Sequence, residues 1–171
     1  MKKINILVTG AGSGVGQSII RSLKKSKLKS KLNVLISDIS DLNPYPIYNF
    51  SYIKIPKVEQ KNSKNKIKKI LIKKKINILF IGSEYEIYFF SKYKNFFEKI
   101  GKLKICVADI KTIKISNDKY KTYEFLRKNN LPYPLTIIVN KKSKFDKIKK
   151  QIKTPFILKD RLKHPREVFL L

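Results

Sequence analysis

The chain has 171 residues, 42% of them hydrophobic, enough for an ordinary domain with its own core and too many for disorder throughout. Its single cysteine, Cys106, excludes an internal disulfide, a cysteine-based metal site and a redox pair, and a reducing cytoplasm is the expected compartment. The net charge is +28, yet only four of the 40 basic residues are arginine; the 36 lysines are scattered along nearly every expected helix. With Ile, Asn, Tyr and Phe also abundant, this reads as the composition that an AT-rich genome favours. A dedicated nucleic-acid surface, the alternative, would more often use arginine for bidentate contacts. Nonspecific binding to polyanions at low salt is expected either way. No apolar run approaches the ~18 residues of a membrane span, and Ile4 to Val8 is too short for a secretory core.

In chain order, Ile4 to Thr9 is a β-branched run followed at once by a glycine turn, Gly10 to Gly16, and a helix expected from Val15 to Lys25. A second strand, Asn33 to Ser37, ends at Asp38; the prolines of 41–46 then exclude regular structure. Tyr52 to Ile55 alternates as a short strand. Lys57 to Lys75 has Ile67, Ile70 and Leu71 at helical spacing and is expected to be a solvated amphipathic helix. Asn77 to Ile81 is a buried-type strand, and one helix is expected from Glu84 to Ile100, with Ser83 and Glu86 spaced as a capping box. Leu103 to Val107 is the fifth strand. Strands separated by helices imply an α/β, Rossmann-like parallel sheet.

Beyond residue 112 the pattern changes. A helix is expected over Asp118 to Asn129, capped by Ser116 or Asn117, then strands at Pro134–Val139 and Thr154–Lys159 around a lysine-rich helix at Ser143–Lys153. This is an incomplete α+β unit, so the domains are placed at 1–112 and 113–171. Cys106, inside a strand, is expected to be buried, and His164 has no neighbours in sequence that would make it a catalyst.

Thr9 to Gly16, TGAGSGVG, fits a dinucleotide fingerprint, with Asp38 where a ribose-binding acid would sit. It also fits the glycine signature of short-chain dehydrogenases, so an NAD(P)-binding domain is an alternative. Tyr88 and Lys92 have that family's spacing but lie earlier than the family places them. A basic nucleic-acid-binding module is the third reading.

The order of motifs over residues 1–161 resembles the N-terminal part of an ATP-grasp ligase of the carbamoyl-phosphate synthase large-subunit-like kind. The pieces are VTGAGSGVGQS at 8–18, SDISDLNP at 37–44, INILFIGSEYE at 76–86, NDKYKTYEFLRKNNLPYPLT at 117–136 and PFILKDR at 155–161. The resemblance implies a Rossmann-like domain that shapes an acceptor pocket through Gly10, Gly12, Ser13, Gly14, Asp38 and Glu86. It implies ATP with magnesium as cofactor, phosphate neutralisation by Lys119 and Lys159, and an acylphosphate route from a carboxylate to its product. The acceptor would be a small-molecule carboxylate or amine. The family follows its second lysine with proline, arginine and a small-residue loop; here Asp160-Arg161-Leu162-Lys163-His164 follows, without glycine. The resemblance also implies that the magnesium-binding half lies outside these residues. The chain alone is therefore expected to be inactive and to bind nucleotide weakly or not at all, as an N-terminal fragment, a truncated remnant, or one half of a split ligase whose complementary half is encoded separately.

Overall fold

The computed structural model describes residues 3–39, 50–139, 151–152 and 156–162, together with the backbone of 169–170. Five strands, β1 (Ile4–Val8), β2 (Leu32–Asp38), β3 (Ser51–Lys54), β4 (Ile78–Phe80) and β5 (Lys104–Cys106), form one parallel sheet in the order β3-β2-β1-β4-β5. Every ladder is parallel, and β1 at the centre pairs Ile6 with both Val34 and Ile78. The order reverses at β1, which opens a switch point between the carboxyl ends of β1 and β4.

Alternation along the central strands divides the core. Ile6, Val8, Val34 and Ile36 face helix α1 (Gly14–Lys25), which buries Ile20 against them with Ile19 and Leu23 alongside. Leu7, Leu35 and Leu79 face the other way, onto Ile67 and Leu71 of α2 (Ser63–Lys73), Phe90 of α3 (Glu84–Lys92) and Phe97 of α4 (Lys94–Glu98). The lysines of α2 lie outside this stripe, so a lysine-rich segment still docks.

Several expectations are corrected. The second helix starts at Ser63, not Lys57: Asn62 has φ +61°, and the buried Ser63 Oγ donates to Val58 O at 2.7 Å, making a turn of the preceding residues. The single helix expected over 84–100 is two, broken where Tyr93 takes φ −105° and ψ 16°. The Phe97 ring then packs 5.6 Å from Phe90 in the core. Cys106 is exposed, because Ile105 takes the inward position of the edge strand β5.

Contacts within the chain separate 1–110 from 111–171. The second unit contains α6 (Lys119–Lys128) and a two-stranded antiparallel ladder, β6 (Ile157–Leu158) with β7 (Phe169–Leu170). A helix that sequence periodicity did not suggest, α5 (Ile110–Ser116), spans the boundary. The strand expected at Pro134–Val139 does not form among the described residues: these residues carry no regular structure and no ladder partner there, and β-propensity alone does not make a strand. The strand expected over Thr154–Lys159 is confined to Ile157–Leu158 among the described residues. The turn at 41–46, His164 and nearly all of the helix expected over Ser143–Lys153 lie outside the described residues.

Candidate functional site

The glycine turn closes tightly against the turn that follows β4. Gly10 has φ +56°, a left-handed conformation that disfavours a side chain, and a Cβ there would lie 2.7 Å from Ser83 N. A Cβ on Gly16 would fall 2.1 Å from Gly10 O, and one on Gly82 would fall 2.3 Å from Thr9 O. These glycines let backbone pack on backbone. Ser13 fastens the same corner: it caps α1 by accepting from Gly16 N at 2.9 Å and donates to Gly82 O at 2.5 Å. Gly14, the first residue of α1, is different, because a Cβ there would meet nothing within 4 Å.

Two carboxylates flank this corner. Asp38, at the end of β2, accepts from Gly12 N at 2.8 Å through one oxygen and from Ile39 N at 2.7 Å through the other. It therefore occupies an amide of the glycine turn and places negative charge there, which opposes a pyrophosphate at the same point. Glu86, 5% exposed in the first turn of α3, accepts from Thr9 Oγ1 at 2.5 Å. Burial pushes its carboxyl up to about 7, with the Thr9 hydroxyl opposing and the charges of Asp38 and Glu59 adding. The capping box expected between Ser83 and Glu86 does not form, because Ser83 makes no side-chain bond to the helix and Glu86 turns to Thr9 instead. Thr9 was not among the candidates. Its place directly after the strand, ahead of the first glycine, was the available signal.

Gly10, Gly12, Ser13, Gly14, Asp38 and Glu86 thus all belong to the carboxyl edge of the sheet in the first unit. Lys119 and Lys159 belong to the second. There Asp118, 3% exposed, is itself the cap of α6 in place of Ser116 or Asn117, accepting from Tyr120 N at 3.0 Å and Lys121 N at 3.2 Å. Arg161 grips the same carboxylate with two bonds, Nε to Oδ1 at 2.8 Å and Nη2 to Oδ2 at 2.7 Å. That fork, joined by the two amides and opposed by burial, holds the Asp118 carboxyl down at about 2. Lys119 N donates to Arg161 O at 3.1 Å, so the two lysine-bearing segments meet through their backbones.

Tyr88 and Lys92 line a shallow cleft of about 250 Å³ with Val58, Glu59 and other aromatics of α3, and no residue of the glycine turn lines it. No helix among the described residues is long and apolar enough to cross a membrane.

No protein-family model matches the sequence, and no curated protein matches it. Solved structures do. The biotin carboxylase domain of Hydrogenobacter thermophilus 2-oxoglutarate carboxylase, in complex with MgADP, ADP and bicarbonate, is 15% identical over 96% of this chain and 36% of its own, with a TM-score of 0.62. The biotin carboxylase subunit of a pyruvate carboxylase is 15% identical over 91% of this chain and 35% of its own, with a TM-score of 0.55. A thermophilic 2-oxoglutarate carboxylase domain bound to bicarbonate is 13% identical over 77% and 29%, with a TM-score of 0.53. The chain spans about a third of the length of these proteins, and the likeness is one of fold.

Proposed function

We propose that this chain is part of an ATP-dependent carboxylate ligase of the ATP-grasp type, carbamoyl-phosphate synthase-like in its motif order. The observation that supports it best is the coincidence of fold and motifs. Biotin carboxylase domains share the fold along 77–96% of the chain, while the NDK and FILK segments occur in the order the ligase reading requires. The carboxylate on Gly12 N weighs against the dinucleotide alternative.

In this reading the carboxyl edge of the sheet shapes the acceptor end through Gly10, Gly12, Ser13, Gly14, Asp38 and Glu86. Lys119 and Lys159 neutralise the nucleotide phosphates, where charge builds during phosphoryl transfer. ATP supplies the phosphoryl group when bound. Among the described residues no three His, Cys, Asp or Glu side chains gather to hold a cation by themselves, and no step is assigned to one. We place the cation ligands in a complementary half, and the working compartment in the cytoplasm, where a lone thiol stays reduced.

Calorimetric titration of the purified chain tests this. The expected result is weak MgATP binding, reduced by Lys119→Ala or Lys159→Ala, with no turnover and no heat from NADH. Micromolar MgATP binding with turnover by the chain alone would overturn the dependence on a second half. Saturable NADH binding lost on Gly14→Asp would overturn the ligase reading itself, and the open space at Gly14 lets that variant keep the turn.

A further inference from the structure

The fork between Arg161 and Asp118 pairs an exposed guanidinium with a buried carboxylate and joins segments 43 residues apart. Three bonds converge on this junction: two from the Arg161 guanidinium to the Asp118 carboxylate and one from Lys119 N to Arg161 O. Lys119 is the residue after Asp118, and Lys159 lies two residues before Arg161. The guanidinium also sits over the Tyr120 ring, 5.6 Å from its centroid, which restricts the fork from a second side.

We propose that Asp118 and Arg161 are positioning residues: their ion pair fixes Lys119 and Lys159 as one anion-binding unit, neither member itself contacting the nucleotide. The inference rests on the ligase reading, because it takes the two lysines to be phosphate ligands. Two flexible lysines held by separate segments would bind a triphosphate independently, each losing side-chain entropy. Segments locked together present both charges at once, and a ligand that meets one meets the other. Arginine suits the lock, since its planar fork matches a carboxylate in two bonds whereas lysine offers a point charge.

The test is a two-dimensional NMR titration of the 171-residue chain with MgATP, following backbone amides at 119–121 and 157–161. In the wild type both groups are expected to shift with one shared Kd. Arg161→Lys retains the net charge, and Asp118→Asn retains a good helix cap, so both should stay folded. In each variant the two groups are expected to titrate apart, each with an apparent Kd about fivefold or more weaker than the shared wild-type value, the range of a lost coupling of ~1 kcal/mol. Variants that keep a single shared Kd, or a wild type already showing two, would overturn the positioning role and leave the ligase reading standing. A wild type in which neither segment responds would overturn Lys119 and Lys159 as phosphate ligands of this chain, and the positioning role with them.

Discussion

A carboxyl group that is 5% exposed and bonded to one hydroxyl keeps its proton to higher pH than a solvated one, because burial penalises only the charged form. Glu86 is such a group, raised from an ordinary 4.5 to about 7. The folded state therefore binds this proton more tightly than the unfolded chain. Its contribution to stability is fully present below pH 4.5 and is lost as pH rises through about 7, on the order of 3 kcal/mol in all. Glu86→Gln, neutral at every pH, should flatten that slope. Urea unfolding at pH 5 and pH 8 measures it: the wild type is expected to weaken markedly between the two and the variant much less, and equal losses would contradict the account. Glu86 itself was legible as a candidate from its place after β4. Its partner was not, because a three-residue spacing suggested a local cap while the carboxyl found a hydroxyl 77 residues away.

The glycine turn shows what sequence does and does not convey about an element. TGAGSGVG announces a strand, a turn and a helix, and the structure has all three. The motif gives no hint of which glycines are needed for backbone packing and which for access. The geometry separates them. Gly16→Ala would drive a Cβ into Gly10 O and is expected to cost about 2–3 kcal/mol, the usual penalty for overpacking, whereas Gly14→Ala enters open space and should be neutral or slightly stabilising. Thermal unfolding of the two variants checks this, and equal losses would mean that the corner is looser than described. Other elements misled for physical reasons. Period alone could not reveal the break at Tyr93, since Tyr93 N still bonds Phe89 O and Phe97 N still bonds Tyr93 O across it. At Pro134–Val139 the propensity was present, and no partner strand lies among the described residues.

At the scale of the whole molecule, the parallel sheet was legible because its strands are short apolar runs separated by helical stretches, and burial on both faces is what that pattern requires. The excess of lysine obscured the site proposed in the second unit. Lys119 and Lys159 stood out only by resemblance, and the Arg161 fork, closed across 43 residues, has no local signature. The central claim is that nucleotide phosphate meets these two lysines and not the glycine turn. An ATP bearing an acyl group on its terminal phosphate, which transfers that group to nearby lysines, tests it directly when the modified sites are mapped by mass spectrometry. The account predicts Lys119 and Lys159 labelled above the rest of the 36 lysines and protected by excess MgATP. Labelling spread evenly along the chain, or protection confined to lysines of the sheet unit, would contradict it.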